Sequence, residues 1–345
     1  MKDLIKNAKY PNKLLKGIDD ITLKEVKEFS NGEKLYALCL RLENICNYNC
    51  IYCGTYENRC KDNIMPIKEY LRIINEAANL GAKTVVLGGN GEPTMTVGLL
   101  EILELINNKK MTAVMFTNMS IFGNDDLCIQ IHGIDGKALL QKIDNLNVSL
   151  IISCESIREE KYNQIVGSKS YQYFIKGIER LKKTNFVKYQ EYQNKQLCRL
   201  ALSSVIMPIN YEDRYELLGF IHSLNGLLIA KVPSLHGAAK ENIDMMYDVE
   251  TAKKIKEELK HLSDKQATLQ IFNLACIAWT MCICVNYNGN FMTCMTEENN
   301  PYKDYSNISD VNLSELLKKK RELLNITGAI CPVKEKWYGK NDKKN

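Results

Sequence analysis

The stretch LYALCLRLENICNYNCIYCG, residues 35–54, joins an apolar segment to three closely spaced cysteines. Its first part lies within KLYALCLRLE, residues 34–43, which is predicted to be a β-strand. Cys46, Cys50 and Cys53 follow with the spacing C-x3-C-x2-C. If the strand belongs to a parallel sheet, the cysteines lie at the carboxyl edge of that sheet, where ligands and chemistry gather.

The pattern beyond the first strand indicates such a sheet. Apolar segments predicted to be strands recur at residues 83–89, 112–118, 147–156, 199–208 and 226–233. Segments with helical spacing of apolar residues separate them, at residues 66–81, 97–108, 136–144, 170–183 and 213–223. The alternation predicts a parallel sheet with right-handed crossovers. Further helices are predicted over residues 12–30 and 249–263, and two helical segments are predicted within residues 312–325.

The composition bounds the class of protein. The chain has 345 residues, of which 45% are hydrophobic and 25% charged, as in ordinary globular proteins. The net charge of +5 is spread along the sequence, so we expect no nucleic-acid partner. No segment reads as a secretory signal or a membrane span, so we expect a cytoplasmic protein without a membrane partner. The 13 cysteines are clustered, which in a reducing compartment indicates metal ligands or redox chemistry.

The cysteine triplet fits an iron–sulfur cluster better than zinc. A structural zinc site usually takes four ligands in paired C-x2-C knuckles. Here the next candidate ligand is Cys60, seven residues after Cys53, and His132 is far away in the sequence. Three thiolates can instead bind three corners of a [4Fe–4S] cube. The fourth iron then has no protein ligand and is open to another molecule.

The triplet, with the aromatic Tyr52 before its last cysteine, resembles the radical SAM superfamily. The resemblance implies that Cys46, Cys50 and Cys53 hold a [4Fe–4S] cluster whose open iron is chelated by S-adenosylmethionine. It also implies that the reduced cluster cleaves the sulfonium to a 5′-deoxyadenosyl radical, which abstracts hydrogen from substrate. A flavodoxin- or ferredoxin-type protein is the implied electron donor.

A glycine-rich motif follows the second strand. Gly88, Gly89, Gly91 and Glu92 stand in GGNGEP, which is similar to the family's GGEP motif for the methionyl amino group, with two residues inserted. A simple turn into a helix is the alternative interpretation. The third strand ends in FTNMS, where Met119 replaces the glycine of the family's Thr-Asn-Gly.

Later strand ends carry the other cofactor contacts that the resemblance implies. Ser153 and Glu155 alternate onto one face and match the family's ribose and carboxylate contacts. Asn210 resembles a position near the cofactor, and Val232 is expected beside the adenine. His236 is a candidate substrate contact, although a lone histidine is more often structural.

A second cysteine group resembles a shortened SPASM domain, the Twitch form. Cys276 is followed by twelve residues, Gly289 and then Cys294, but the dense cysteine run of a full SPASM domain is missing and only Cys331 remains. The resemblance implies one auxiliary [4Fe–4S] cluster. Its expected ligands are Cys276, Cys294, Cys331 and either Cys282 or Cys284. A zinc site is the alternative.

The spacing around the second group predicts a hairpin with a two-residue turn at Asn288-Gly289. Ile283 would then face Cys294, and Cys282 and Cys284 would lie on the opposite face. One of these two would bend round to the cluster. The other could donate a hydrogen atom to a substrate radical, or simply be a buried thiol.

Together these features predict an α/β protein, a partial (β/α)6 TIM barrel with a small auxiliary iron–sulfur domain. The expected parts are an N-terminal helical extension (1–34), the radical SAM barrel (35–235), a linker with a helix (236–272), the auxiliary-cluster domain (273–335) and a basic tail (336–345). The expected activity is an oxidoreductase or epimerase reaction on a sugar or cyclitol. The alternatives are a peptide-modifying maturase of the epimerase, crosslinking or sulfatase-maturase type, and a non-enzymatic iron–sulfur sensor or scaffold.

Overall fold

A computed structural model describes residues 13–30, 34–42, 45–55, 59, 62–264, 277–295, 300–302 and 304–327. Its strands are β1 (Lys13–Leu15), β2 (Ala37–Arg41), β3 (Thr84–Gly88), β4 (Thr112–Thr117), β5 (Val148–Ser153), β6 (Tyr189–Tyr192), β7 (Lys195–Cys198), β8 (Leu200–Val205), β9 (Leu227–Lys231), β10 (Cys282–Val285) and β11 (Phe291–Met292). The six strands predicted from the apolar segments are confirmed as β2, β3, β4, β5, β8 and β9, each within its predicted range.

The predicted helical segments at residues 66–81, 97–108, 136–144, 170–183, 213–223 and 249–263 each contain a helix, and shorter helices that were not predicted lie between them. The helices are α1 (Leu23–Ser30), α2 (Ile67–Asn79), α3 (Leu99–Asn108), α4 (Ser120–Gly123), α5 (Asp125–His132), α6 (Gly136–Asp144), α7 (Glu159–Val166), α8 (Tyr171–Leu181), α9 (Arg214–Ser223), α10 (Ala238–Glu241), α11 (Val249–Leu262), α12 (Ile277–Met281) and α13 (Leu313–Thr327). Helix α2 shows why the pattern was readable: it buries Tyr70, Ile73, Ile74 and Ala77 at the i, i+3, i+4, i+7 spacing of one helical face. No helix in the described ranges is long and apolar enough to cross a membrane.

The chain divides into two compact units. The β2 unit comprises Ile21–Asn47, Asn58–Phe116 and Thr268–Asn345. Its strands are ordered β11-β10-β2-β3-β4, and all neighbours are parallel except the hairpin pair β10–β11. Buried aliphatic side chains such as Leu38 and Leu40 fill its core.

The β5 unit comprises Met1–Asp20, Tyr48–Glu57 and Thr117–Ala267. Strands β5, β8 and β9 are parallel neighbours in that order. A second, three-stranded sheet has the order β1-β7-β6. The predicted helix over residues 12–30 is therefore wrong in its first part, because β1 pairs with β7 and the helix starts only at Leu23.

The hairpin β10–β11 has a different register from the predicted one. Cys284 pairs with Met292, and the Asn286 amide donates to the Asn290 carbonyl at 2.8 Å, so three residues, 287–289, form the loop instead of two. Gly289 takes the left-handed conformation (φ 85°) that such a three-residue loop requires. A shift of one residue reverses the facing of every side chain. The pairing of Ile283 with Cys294 is wrong, and the alternation argument that placed Cys282 and Cys284 away from Cys294 falls with it.

Candidate functional site

The three cysteines of the triplet lie in the loop that follows β2, and each is half-buried. The Cys53 amide donates a hydrogen bond to the Cys50 carbonyl at 3.0 Å, so the C-x2-C part is a closed turn. The loop segment from Cys46 to Cys53 offers three soft thiol donors and no imidazole or carboxylate. Thiol donors of this kind fit iron–sulfur chemistry and no hard cation.

The second half of this loop is anchored on helix α7. The Asn49 amide donates to the Val166 carbonyl at 2.9 Å, and the Ile51 amide donates to the Ile165 carbonyl at 3.0 Å. These bonds hold the backbone on both sides of Cys50. The thiols of Cys50 and Cys53 are therefore presented from a fixed backbone.

Tyr52 and Glu155 form a direct hydrogen bond in the β5 unit. The Tyr52 hydroxyl donates to Glu155 Oε1 at 2.5 Å. Burial raises the pKa of Glu155 to about 7, although the Tyr52 hydrogen bond and the charge of Lys231 act in the opposite direction. Burial, followed by the charge of Glu155, raises the pKa of Tyr52 well above its usual value. The carboxyl group is thus a buried acceptor that changes protonation near neutral pH.

Asn210 supports the backbone of Glu155. It lies in a 3-10 helix, Pro208–Asp213, that follows β8. Its side-chain amide donates to the Glu155 carbonyl at 2.7 Å and to the Val205 carbonyl at 3.0 Å, and its oxygen accepts from the Met207 amide at 2.7 Å. The residue predicted to lie near the cofactor therefore positions another predicted cofactor contact.

The same 3-10 helix ends with Asp213, which sequence reasoning missed. Its fully buried carboxylate accepts from the Ser156 hydroxyl at 2.7 Å and from Lys161 Nζ at 2.9 Å. Ser156 is the residue after Glu155. A buried carboxylate 57 positions away in the chain carries no sequence pattern of its own, so only the structure identifies it.

The remaining predicted residues of this unit lie at strand ends. Ser153 is the last residue of β5, is half-buried and is in register with Ser203. Val232 follows the last residue of β9 and is half-buried. His236 lies against the residue after the triplet: a Cβ built on Gly54 would come within 2.2 Å of His236 Nε2.

In the β2 unit, the glycine-rich motif contacts the start of the cysteine loop. The Glu92 amide donates to the Ile45 carbonyl at 2.8 Å. A Cβ on Gly91 would lie only 1.9 Å from the Ile45 oxygen, so glycine is required for this approach. Glu92 is buried, and its Oε1 accepts from the Thr94 hydroxyl at 2.6 Å. Gly88 ends β3, and Gly89 follows it half-buried.

Only part of the second cysteine group lies within the described residues. Cys276 and Cys331 lie outside the described residues, and Cys294 is half-buried. Cys282 and Cys284 are buried in β10 beside Cys39 of β2, with Cys284 in register with Cys39. Hydrogen bonding to Cys282 and Cys284 raises the pKa of Cys39 well above its usual value.

The pKa of Cys284 moves in the opposite direction. It is lowered first by the hydrogen bond from Cys39 and then by the positive charges of Lys320 and Arg41. Lys320 is itself buried, and its ammonium donates to the Cys282 carbonyl.

Across the part of the chain that the structure describes, no three His, Cys, Asp or Glu side chains are grouped so that they could hold a metal ion.

Comparison with known proteins identifies the relatives of this chain. A family model described as the radical SAM superfamily matches residues 41–221, more than half of the chain. A probable GTP 3′,8-cyclase of Pyrococcus abyssi is 26% identical over 198 residues, which are 57% of this chain and 56% of that protein. The chain thus spans about half the length of the curated relatives it matches.

Solved structures share the fold. SuiB of Streptococcus suis bound to S-adenosylmethionine has a TM-score of 0.63 at 16% identity and covers 88% of this chain and 70% of its own. The structure of anSMEcpe with AdoMet and the Cp18Cys peptide has a TM-score of 0.52 at 13% identity and covers 87% and 85%. This likeness confirms the predicted α/β class with parallel strands of the partial-barrel type.

Proposed function

The chain belongs to the radical SAM superfamily, and we propose that it is an enzyme that reductively cleaves S-adenosylmethionine. Membership implies S-adenosylmethionine and a [4Fe–4S] cluster as cofactors. Together, when bound, they supply a 5′-deoxyadenosyl radical that abstracts a hydrogen atom from substrate. The thiols of Cys46, Cys50 and Cys53 would hold the cluster. A flavodoxin- or ferredoxin-type protein would supply the electron.

The observation that carries this proposal is the support built around Glu155. Its side chain accepts from Tyr52 of the cysteine loop, and its backbone accepts from Asn210 after β8. Burial disfavours the charged form of a carboxyl group, and a buried carboxyl group with a shifted pKa is a candidate functional residue. We assign Glu155 and Ser153 to the cofactor in the β5 unit, with Val232 beside the adenine.

In the β2 unit, we assign Glu92 to the amino group of the cofactor, with Gly88, Gly89 and Gly91 allowing the backbone to come close. Glu92 keeps a fixed orientation because Thr94 donates to its Oε1. A carboxylate held in this way is a preorganised acceptor for an ammonium group.

We further propose one auxiliary [4Fe–4S] cluster. Cys276, Cys294 and Cys331 would hold it, with Cys282 or Cys284 as the fourth ligand. Two cubane clusters require about eight irons per chain, and the combined Cys46→Ala, Cys50→Ala and Cys53→Ala protein should keep about four. Zinc together with at most one cluster would overturn this part of the proposal.

For the substrate, we propose a sugar or cyclitol alcohol carbon that is dehydrogenated or epimerised. A peptide substrate is the second candidate, because the anSMEcpe structure contains a bound peptide and that protein is matched over most of its length. Turnover can be compared directly by offering both classes to the reduced enzyme and following formation of 5′-deoxyadenosine.

The central test is cofactor cleavage. Anaerobically reconstituted protein reduced with dithionite should convert S-adenosylmethionine to methionine and 5′-deoxyadenosine, slowly even without substrate. Cys50→Ala should abolish this activity. Cys128→Ala, which removes a buried thiol of α5, is the matched control and should remain active. Full activity in Cys50→Ala would exclude the proposed mechanism, and inactivity of the wild type would favour a sensor or scaffold.

A further inference from the structure

A group of three thiols lies outside the residues assigned to S-adenosylmethionine. Cys39, Cys282 and Cys284 are each less than 5% exposed, at 4%, 4% and 1%. Strand β10 runs parallel to β2, with Cys284 in register with Cys39 and Cys282 in register with Ala37. Residues i and i+2 of a strand share a face, as do register partners, so the three side chains project to the same side.

The register of Cys39 and Cys284 is compatible with the Cα separation of a disulfide. Neighbouring strands lie about 5 Å apart, and bridged cysteines have Cα separations of roughly 4.4–6.8 Å. The thiols of Cys282 and Cys284 are also close enough to raise the pKa of the Cys39 thiol. Cys39 is thus the central thiol, and Cys284 is its direct partner across the strands.

We propose that Cys39 and Cys284 form an oxidisable dithiol that closes to a disulfide between β2 and β10 when a peroxide reaches it. This modification site is independent of the proposed cofactor cleavage. It assigns Cys39, a residue with no predicted role, and it gives Cys284 a partner other than an auxiliary cluster.

The chemistry balances with a peroxide as the oxidant. One thiolate attacks the peroxide oxygen and becomes a sulfenic acid, and the second thiol displaces water from it. The overall change is two thiols and one hydrogen peroxide to one disulfide and two waters. The burial of all three thiols favours a small oxidant over a bulky protein or glutathione disulfide.

The third thiol gives the site an exchange partner. Cys282 lies on the same face of β10 as Cys284, so in protein without the auxiliary cluster its thiolate can attack the new disulfide and take the place of Cys284. Because Cys282 is in register with Ala37 and not with Cys39, we expect the Cys39–Cys284 bond to predominate.

The consequence is a covalent tie between two strands with different continuations. Strand β2 leads into the loop that carries the cysteine triplet, and β10 leads into the hairpin before Cys294. Separation of β10 from β2 would be prevented in the oxidised protein. A dithiol reductant would break the disulfide and restore the reduced protein, in which the two strands are not covalently linked.

The test is peptide mapping of the reconstituted wild-type protein after anaerobic exposure to a limited amount of hydrogen peroxide. Free thiols are alkylated in denaturant, and the non-reduced digest is analysed by mass spectrometry, with iron measured on the same sample. We expect a peptide that links Cys39 to Cys284, and its loss on treatment with a phosphine. Cys128 and Cys154, which are buried singly, should be recovered as alkylated thiols.

Variants separate the members of the site. Cys284→Ser should divert the bond to Cys39–Cys282 at lower yield, and Cys282→Ser should leave the Cys39–Cys284 bond intact. The proposal is overturned if Cys39 is alkylated as fully as Cys128 in the peroxide-treated wild type. It is also overturned if Cys284→Ser loses half of its iron while Cys39 stays reduced in the wild type, since Cys284 would then be a cluster ligand.

Discussion

The hydroxyl of Tyr52 donates a hydrogen bond to the carboxyl group of Glu155, with 2.5 Å between Oη and Oε1. This bond joins the residue before the last cysteine of the triplet to a residue just beyond β5. Hydrogen bonds to carboxylates are stronger than neutral ones, most of all away from water. Tyr52 therefore orients Glu155 in addition to providing an aromatic ring.

Replacement of Tyr52 by Phe should weaken both this orientation and the fold. The change removes the side-chain donor from a buried carboxyl group that otherwise has backbone hydrogen bonds and the charge of Lys231, a loss of about 1–3 kcal/mol. We expect a lower free energy of unfolding in urea and weaker binding of S-adenosylmethionine to the reconstituted protein. Tyr48→Phe is the matched control, because it removes a buried tyrosine hydroxyl that bonds to the Tyr162 hydroxyl at 2.9 Å. Equal cofactor affinity in the two variants would contradict the role given to Tyr52.

The raised pKa of Glu155 predicts a pH dependence of stability. The pKa is about 7 in the folded protein, against 4.5 normally, so the folded state holds this proton more tightly than the unfolded state. The stabilisation is complete below pH 4.5 and is lost as the pH rises through 7. The full difference is about 3 kcal/mol. Glu155→Gln should lack this loss, so urea unfolding of the two proteins between pH 5 and 8 should give diverging curves. Parallel curves would show that Glu155 titrates normally.

Asp213 is expected to act on the cofactor through Ser156 and Glu155. Asp213→Ala removes the acceptor for the Ser156 hydroxyl and for Lys161, and it should weaken binding of S-adenosylmethionine roughly tenfold if about 1.4 kcal/mol of orientation is lost. Asp213→Asn can still accept from Ser156, so its affinity for S-adenosylmethionine should lie between those of Asp213→Ala and the wild type. Asp144→Ala removes a comparable carboxylate, one that binds Arg199 at 3.1 Å outside the proposed site, and should lower stability only. Equal cofactor affinity in Asp213→Ala and the wild type would leave Asp213 with a structural role.

The sequence predicted the strands that are buried along their whole length and the helices with one buried face, and it missed elements that depend on local backbone geometry. Strands β2 to β5 and β8 to β9 are continuous apolar runs, so their positions were evident. The hairpin β6–β7 is largely polar. Its turn at Gln193 and Asn194 has positive φ angles of 51° and 59°, and the turn contains no glycine that would have indicated them in the sequence. The segment around β1 was assigned to a helix because its pairing partner, β7, was not foreseen.

The candidate site divides in the same way. Cys46, Cys50 and Cys53 could be found by their spacing, and Glu92 by the resemblance of GGNGEP to a family motif. Asp213 could not, because it works through a hydroxyl 57 positions away in the chain. Cys39 was likewise visible only once β10 was seen beside β2, since parallel pairing over that separation leaves no mark in the sequence.

The inserted part of the glycine-rich motif gives the last prediction. A Cβ on Gly91 would lie 1.9 Å from the Ile45 carbonyl oxygen, a backbone atom that cannot move aside alone. Gly91→Ala should therefore displace Ile45 and with it Cys46, which lowers both the urea midpoint and the iron retained after reconstitution. Gly219→Ala is the control, because nothing lies within 4 Å of its Cβ and it lies in helix α9. Alanine in that helix should stabilise the protein by up to about 1 kcal/mol with unchanged iron. If Gly91→Ala keeps its full iron content and midpoint, the close approach to Ile45 does not hold the cysteine loop.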